Sequence, residues 1–284
     1  MKNELKSLNL TIIGPGVMAE AILTNLLSKN LITVEKTIVS GPHQPRLDDL
    51  SQRFGVKAET NNLNAIKTTD VALLTVKPQQ IVKVLSELHG GFQKDALLIS
   101  IAAGISMQLI AELSGHSKIV RAMPNTPARI GKGMTLWTAT PQVTAGQLEI
   151  AKSLFSAMGT ELQVEDEEYV EKATALSGTG PSYVYLFMEA LVDAGVHLGF
   201  PRRMAETMVI ETLRGSVEFY DQASDAGKHL AALRNQVTSP GGTSAEALYF
   251  LEKAGFRTAL SRAVWAAYQR TLELGQNIQR TTKD

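Results

Sequence analysis

The sequence of 284 residues contains no cysteine and no excess of either charge, with 28 lysines and arginines against 28 aspartates and glutamates. The absence of thiols excludes disulfides, thiolate metal sites and cysteine nucleophiles. The charge balance gives no reason to expect nucleic acid or an anionic membrane surface as a partner. No apolar run approaches the roughly 20 residues of a membrane-spanning helix. The polar stretch from Met1 to Asn9 also lacks the core of a signal peptide, so we expect a cytoplasmic setting.

Histidines are few and scattered, at positions 43, 89, 116, 197 and 229, and none forms a ligand pair at helical spacing. No metal site is therefore expected. The apolar fraction of 44% is typical of a globular protein. The length suits two domains. We predict a dinucleotide-binding domain over residues 1–164 and a helical domain over residues 165–284.

Short apolar strands alternate with helices in the first half. Strands are predicted over 8–13, 37–40, 71–76, 97–101 and 119–123, with an edge strand over 134–137. Helices with one apolar face are predicted after the first strand, over 79–88 and over 144–158. This alternation is typical of α/β proteins in which helices cover both faces of a parallel sheet. The N-terminal domain is therefore predicted to be a Rossmann-like doubly wound sheet.

Helical periodicity dominates the second half, after the acidic run 165–168. We interpret that run as a solvated helix start, where carboxylates complement the helix dipole. Pro181 and Pro201 occupy positions typical of first-turn prolines. Helices are predicted between them and over 202–220, 243–254 and 256–279. Because these helices are apolar on more than one face, they are expected to be buried in a bundle or against another subunit.

The first strand ends in a glycine turn. Gly14, Gly16 and Ala19 match the dinucleotide-binding pattern G-x-G-x-x-[GA] between a strand and a helix. The first glycine permits the turn, the second leaves room for a pyrophosphate, and Ala19 lets the helix pack closely. The pyrophosphate then meets the N-terminus of the helix. The alternative is a turn that only joins strand and helix. Pro15, Val17 and Met18 complete the predicted turn.

The end of the second strand indicates which nicotinamide cofactor binds. An acid there would favour NAD, but Glu35 precedes the strand. Ser40 and Gly41 can donate to a phosphate, and His43 and Arg46 can supply charge. The pattern favours NADPH, with NADH as the alternative. Arg46 also fits the interpretation of an ordinary exposed helix residue.

Two later loops complete the predicted cleft. Val76-Lys77-Pro78 and Ile101-Ala102-Ala103-Gly104 follow the next two strands, where ligands bind in open α/β sheets. Small side chains in the second loop would let a flat nicotinamide ring lie against the backbone. Lys77 is interpreted either as a contact to ribose or diphosphate or as a surface lysine.

The segment 237–244, Val-Thr-Ser-Pro-Gly-Gly-Thr-Ser, is the most unusual stretch of the second half. Its proline and glycines break one helix, and Thr243 or Ser244 is predicted to cap the next. Consecutive N–H groups at that helix start would form a carboxylate site. The alternative is a well-capped interhelical turn. Ser177–Pro181 is predicted to be a comparable hinge.

Six motifs together resemble the pyrroline-5-carboxylate reductase family, from Leu10 to about Gln279. They are Gly14–Ala19, Val76–Pro78, Arg121–Pro127, Leu176–Pro181, Pro201–Arg203 and Val237–Thr243. The resemblance implies a Rossmann-like domain, a helical dimerisation domain, and interlocked dimers that assemble in many members into decamers. It also implies hydride transfer from NAD(P)H to the ring C=N carbon of 1-pyrroline-5-carboxylate, giving L-proline.

The resemblance further implies roles for individual residues. Asn62 would contact the adenosine ribose, while Thr75 to Pro78, Ile101 to Ala103 and Glu167 would lie near the nicotinamide half. Gly241, Gly242, Thr243, Ser244 and Gln236 would receive the substrate. Ser244 stands where many relatives have threonine, and Gln236 where some have asparagine. We assign Ser244 as the hydrogen-bond donor to the imine nitrogen.

Two alternatives stay open at this point. The first is a reductase on the same scaffold that acts on another cyclic imine or on a β-hydroxy acid, for which Lys172 is the nearest candidate for a catalytic lysine. The second is a cofactor-binding protein without turnover. No buried acid–base pair is evident in the sequence, so positioning and electrostatics are expected to supply most of the acceleration.

Overall fold

The computed structural model describes residues 2–224 and 227–281. Within them the chain divides into two units. One contains the chain up to Pro181 together with the stretch from Ala266 onwards, and the other is Ser182–Trp265. This division falls later than the domain boundary expected after residue 164, which stays a prediction.

The first unit is built on an eight-stranded sheet with the order β3-β2-β1-β4-β5-β6-β7-β8. All neighbouring strands are parallel except β6 and β7, which are antiparallel. The fold is therefore the predicted Rossmann-like one, extended by two strands. The strands are β1 (Leu10–Ile13), β2 (Thr37–Ser40), β3 (Lys57–Glu59), β4 (Val71–Leu74), β5 (Leu97–Ser100), β6 (Ile119–Met123), β7 (Gly133–Ala139) and β8 (Gly159–Gln163).

The strand predictions are confirmed at β2 and β6, whose bounds match, while β1 and β4 are two residues shorter than expected. The strand predicted over 134–137 is present as β7, but its predicted edge position was wrong, because β7 lies between β6 and β8. The strands β7 and β8 meet at Gly133 and Gly159, where a Cβ on Gly159 would collide with the Gly133 backbone. Neither β3 nor β8 was predicted.

Helices cover both faces of the sheet. Thr144 caps the helix over Ala145–Met158 in a capping box with Gln147, and Ser106 caps Met107–Ser114. The helices of this unit are α1 (Lys2–Ser7), α2 (Val17–Ser28), α3 (Gln44–Phe54), α4 (Asn62–Ile66), α5 (Pro78–Glu87), α6 (Met107–Ser114), α7 (Ala145–Met158) and α8 (Glu168–Ala173).

The core forms two layers because successive strand residues point to opposite faces. Ile12 packs in the layer that contains Leu23 of α2, whereas Ile13 packs in the layer that contains Ile81 of α5. All strand residues of β1, β4 and β5 are buried. The strand ends, where the glycine turn lies, are thereby held between two packed helical layers.

The chain beyond α8 is helical, as predicted. A π-helical turn over Thr174–Gly178 follows α8, and a bend at Thr179 separates it from the next helix. The hinge expected at Ser177–Pro181 lies at this junction and stays a prediction. Pro181 is the second residue of its helix, whereas Pro201 directly precedes the next one. The remaining helices are α9 (Gly180–His197), α10 (Arg202–Ser224), α11 (Leu230–Gln236), α12 (Thr243–Lys253) and α13 (Phe256–Thr281).

The second unit leaves many large apolar side chains exposed, including Leu186, Met204, Phe219 and Tyr249. Its helices approach closely where Gly195 of α9 faces Ala205 of α10, since a Cβ on Gly195 would lie 2.9 Å from that of Ala205. None of the helices in the part of the chain that the structure describes combines the length and apolar character needed to cross a membrane.

Candidate functional site

The glycine turn joins β1 to α2 and requires glycine at its first position. Gly14 has φ +102°, and a Cβ there would lie 2.7 Å from Val76 Cγ1 and 2.9 Å from the Val76 nitrogen. The Gly14 N–H donates to the Ser40 carbonyl at 2.8 Å, which ties the turn to the end of β2. The first glycine is therefore needed for backbone conformation and for space together.

Gly16 differs, because the space beside it is open. A Cβ on Gly16 would meet only the Thr75 carbonyl oxygen, at 4.0 Å. Gly16 is the N-cap of α2 and no side chain caps this helix, so its first-turn N–H groups are available to a ligand. Ala19 is fully buried, as close packing of helix and strand requires.

A cleft of about 480 Å³ lies over this turn. It brings together half of the residues predicted to bind a cofactor. They are Gly14, Pro15, Gly16, His43, Arg46, Asn62, Thr75, Val76 and Lys77. The cleft is also lined by residues that the sequence analysis missed, namely Pro42, Thr60, Gln80, Lys83, Val84 and Glu87.

The other predicted cofactor residues lie elsewhere in the first unit. Val17 and Met18 begin α2, Pro78 begins α5, and Ser40 and Gly41 are buried at the end of β2. Ile101, Ala102 and Ala103 follow β5. Glu167 lies at the start of α8.

The donors at the end of β2 are already engaged. Ser40 Oγ donates to Asn62 Oδ1 at 2.7 Å, and Asn62 Nδ2 donates to Glu87 Oε2 at 3.2 Å. The Gly41 N–H donates to the Glu59 carbonyl at 3.2 Å. Neither Ser40 nor Gly41 therefore presents a free donor to the cleft in this conformation.

Arg46 is more than an ordinary exposed helix residue. Its Nε donates to the Pro15 carbonyl at 3.0 Å, and its terminal nitrogens pair with Glu20 and Asp49, each at 2.5 Å. Arg46 thus connects α3 to the glycine turn. Hydrogen bonds from Arg53 and Arg46 lower the pKa of Glu20 to about 2, so this carboxylate stays charged and keeps both guanidinium groups in place.

Thr75 ties the loop after β4 to the same turn. Its Oγ1 donates to the carbonyls of Gly14 at 2.7 Å and Ile13 at 3.0 Å. Lys77 follows as the N-cap of α5, with an exposed side chain that lines the cleft. The predicted proximity of the Val76–Pro78 loop to the glycine turn is therefore seen in the structure.

Glu167 takes part in a partly buried charge cluster around Arg121, so the interpretation of residues 165–168 as a solvated helix start was incomplete. Its Oε1 accepts from the Met107 N–H at the start of α6 and from Arg121 Nη1, both at 2.7 Å. Arg121 is 1% exposed and also pairs with Glu171 at 2.7 Å. Burial raises the pKa of Glu171, against the lowering influence of Arg121. The cluster places Glu167 at α6, which follows the Ile101–Ala103 loop.

The loop after β5 is held by the last helix. Gly104 has φ +73°, and a Cβ there would lie 2.9 Å from the Thr271 carbonyl oxygen of α13. Gly275 of the same helix approaches the Gly104 carbonyl so closely that a Cβ would collide with it. This glycine pair lets α13 pack directly on the backbone of the predicted nicotinamide loop.

The glycine-rich loop of the second unit precedes α12. The prediction that Thr243 or Ser244 caps this helix was wrong, because Gly242 is the N-cap and no side chain bonds there. Both hydroxyls therefore belong to the first turn, together with backbone N–H groups that have no earlier helical carbonyl to bind. Gly241 has φ +71°, and Gln236 is the exposed last residue of α11.

The residues of the first-unit cleft fit a dinucleotide. The open space at Gly16 admits a pyrophosphate where a side chain would intrude, and the start of α2 supplies N–H groups and a favourable dipole. Cationic groups of Lys77 and Lys83 line the same cleft.

Three of the missed residues share the polar face of α5. Gln80, Lys83 and Glu87 are spaced three and four residues apart, opposite the buried Ile81 and Leu85. This spacing was visible in the sequence. The prediction of a helix over 79–88 used only its apolar face, so these polar residues were not identified as cleft residues.

Two family models match the chain. Residues 167–274 match pyrroline-5-carboxylate reductase dimerisation, and residues 9–104 match NADP oxidoreductase, coenzyme F420-dependent. The pyrroline-5-carboxylate reductase of Synechocystis sp. is 43% identical over 270 residues, which cover 95% of this chain and 99% of that protein. The enzyme of the same name from Arabidopsis thaliana is 35% identical over 272 residues, covering 96% and 97%.

A solved structure agrees with this similarity. The crystal structure of Plasmodium falciparum pyrroline carboxylate reductase with NADP bound has a TM-score of 0.86 to this chain at 30% identity. The match covers 95% of this chain and 99% of that one.

Proposed function

The chain belongs to the pyrroline-5-carboxylate reductase family, and from that membership we propose that it reduces 1-pyrroline-5-carboxylate to L-proline, the last step of proline biosynthesis. One observation carries the proposal. The similarity spans nearly the whole chain at 43% identity and so includes both the glycine turn of the first unit and the loop before α12. The turn alone would indicate only a dinucleotide enzyme.

We propose NADPH as the cofactor, with NADH as the alternative. When bound, NADPH supplies the hydride that adds to the ring carbon of the C=N bond. The chain positions the cofactor with the open space at Gly16 and with Thr75, which holds the neighbouring loop against the turn. The bound NADP in the Plasmodium relative supports this choice.

The loop before α12 is proposed to bind the substrate. First-turn N–H groups at Thr243 and Ser244 would hold the ring carboxylate, because a helix N-terminus favours an anion. Gly241 and Gly242 let the loop turn without side chains, and Gln236 supplies a polar group at the end of α11. These roles rest on the resemblance and on the geometry of the second unit by itself.

Ser244 is proposed to donate a hydrogen bond to the ring nitrogen. That nitrogen changes from imine to amine as hydride arrives, so a fixed donor favours the product-like charge distribution. A serine hydroxyl is a weak acid, and a substrate that binds already protonated needs orientation alone. The hydroxyl is therefore proposed to orient the ring first, and to relay a proton from water second.

The rival β-hydroxy acid chemistry finds little support at Lys172. This lysine pairs with Glu168 at 3.0 Å and lies over the Tyr169 ring. The hydrogen bond from Lys172 to Glu168 raises the pKa of the ammonium group. A cation held in this way is poorly suited to act as a base near neutral pH.

The working protein is proposed to be a homo-oligomer. A dimerisation family model matches residues 167–274, and exposed apolar side chains on the helices of the second unit fit an interface. A dimer is the minimal assembly, and a decamer built from such dimers is a further proposal. A cytoplasmic setting is also proposed, which cell fractionation would test.

A substrate panel tests the proposed function. Purified protein is given NADPH and, in separate reactions, 1-pyrroline-5-carboxylate, a cyclic imine without the carboxylate, and a β-keto acid. We expect NADPH oxidation, read by absorbance, to be at least about 100-fold faster with the first, since the carboxylate contacts and the imine donor act together. Faster oxidation with either of the others would replace the proposal by that rival.

A further inference from the structure

The polar face of α5 lies beside the end of β2, where the 2′-phosphate distinguishes NADPH from NADH. Hydrogen bonds show this proximity directly. Ser40 at the end of β2 bonds to Asn62, and Asn62 bonds to Glu87 in the last turn of α5. Lys83 precedes Glu87 by four residues and therefore lies on the same helix face, about 6 Å away along the axis.

Three of the four groups expected to bind that phosphate are already held by other protein groups, whereas the fourth, His43, is exposed at the cleft. Ser40 Oγ and the Gly41 N–H already donate to protein oxygens. The guanidinium of Arg46 is held by Pro15, Glu20 and Asp49. Two carboxylates therefore compete with a phosphate for Arg46, and one of them, Glu20, has its pKa lowered to about 2.

Lys83 differs from Ser40, Gly41 and Arg46 because its side chain is not held by another protein group in the part of the chain that the structure describes. Its exposed side chain lines the cleft, and among the described residues it has no hydrogen bond or ion pair. A lysine ammonium on a flexible stem is well suited to bind a phosphate as a point charge. Glu87 carries the opposite charge on the same face, so it repels a phosphate that Lys83 attracts.

We propose that Lys83 and Glu87 of α5 set the preference between the two cofactors: Lys83 is a specificity-determining contact to the 2′-phosphate of the adenosine ribose, and Glu87 opposes it. The inference rests on the proposed dinucleotide cofactor. It extends the specificity site from the β2 end to a helix that the glycine-turn pattern does not include.

Calorimetric titration with 2′,5′-ADP and with 5′-AMP isolates this contact, because the two probes differ only in the 2′-phosphate. In Lys83→Gln the dissociation constant for 2′,5′-ADP is expected to rise about tenfold, as for one lost charge-assisted hydrogen bond. That for 5′-AMP should change less than about twofold. Lys83→Arg, which keeps the charge, should retain most of the affinity for 2′,5′-ADP.

Glu87→Gln tests the opposing effect of the negative charge at Glu87. The new amide keeps an oxygen that can accept from Asn62, while the negative charge is removed. We expect about threefold tighter binding of 2′,5′-ADP and unchanged binding of 5′-AMP, because solvent weakens the interaction between exposed charges.

These outcomes separate the inference from the proposed function, since neither probe requires imine reduction. Parallel weakening of both probes in Lys83→Gln, or no change in either, would overturn the inference even if the wild-type protein forms proline. A protein that shows the selective shifts but reduces no imine would retain the inference and lose the proposed reaction.

Discussion

At the residue scale, the two glycines of the turn have different reasons for being glycine. Gly14 is required by its positive φ and by contact with Val76, whereas Gly16 leaves space that no protein atom fills. The same substitution should therefore lower stability at Gly14 and weaken cofactor binding at Gly16.

Gly16→Ala is expected to leave the melting temperature within about 2 °C of wild type, since its Cβ meets no protein atom closer than 4.0 Å and surface changes are usually small. It should weaken NADPH binding at least about tenfold, because the methyl group enters the pyrophosphate space. Calorimetry of unfolding and titration with NADPH measure the two effects. Gly14→Ala, the matched control, should lower stability by about 1–3 kcal/mol through backbone strain.

Ser244→Ala is expected to lower kcat for proline formation by about 100-fold, the usual effect of removing one preorganised donor. Ser244→Thr keeps the hydroxyl and should retain activity within about tenfold. Steady-state kinetics with saturating NADPH would measure both variants. An alanine variant as fast as wild type would remove Ser244 from the mechanism.

Residue roles of this kind were only partly predictable. The glycine pattern depends on local spacing, so Gly14, Gly16 and Ala19 could be identified from the sequence. Arg46 could not be interpreted in the same way, because its partners Pro15 and Glu20 are 31 and 26 residues away. The buried cluster of Arg121, Glu167 and Glu171 likewise depends on tertiary packing.

At the element scale, Glu20 connects α2 to α3 by pairing with Arg46 and Arg53. Its pKa is lowered from 4.5 to about 2, so its contribution to stability is present above pH 4.5 and is lost as the pH falls towards 2. The ion pairs of Glu20 hold Arg46 in place, and Arg46 in turn connects α3 to the glycine turn through its hydrogen bond to the Pro15 carbonyl.

Glu20→Gln is expected to lower the free energy of unfolding at pH 7 by about 1 kcal/mol, a value discounted because both arginines are partly exposed. The difference from wild type should shrink below pH 4.5 and vanish near pH 2. Urea unfolding at several pH values measures it. A difference that persists unchanged at pH 3 would show that the charge of Glu20 is not responsible.

Elements themselves were predictable where their pattern was strong. The apolar strands Thr37–Ser40 and Ile119–Met123 end at glycine or proline, and their bounds were correct. The strands Lys57–Glu59 and Gly159–Gln163 have mostly half-buried or exposed side chains at the two sheet edges, so they lack the apolar run that identifies a buried strand. The predicted cap at α12 failed because a glycine took the N-cap position.

At the scale of the whole molecule, the exposed apolar side chains of the second unit require a partner surface. We expect sedimentation at micromolar concentration to show a dimer or a larger assembly. Leu186→Glu, at a residue that is 67% exposed, should shift the protein towards monomers because a charge would have to be desolvated in the interface. Gln52→Glu on the exposed face of α3 is the matched control and should leave the assembly intact. A wild-type monomer would contradict the proposed assembly.

We propose that this chain binds a dinucleotide at the glycine turn and its substrate at the loop before α12, and that it reduces a ring C=N bond. To test this reaction, wild-type protein is given 1-pyrroline-5-carboxylate and NADPH that carries deuterium at the transferred position, and the product is analysed by mass spectrometry and NMR. We expect one L-proline for each NADPH oxidised, with one deuterium on the ring carbon that was double-bonded to nitrogen. Bound NADPH without formation of labelled proline would contradict it.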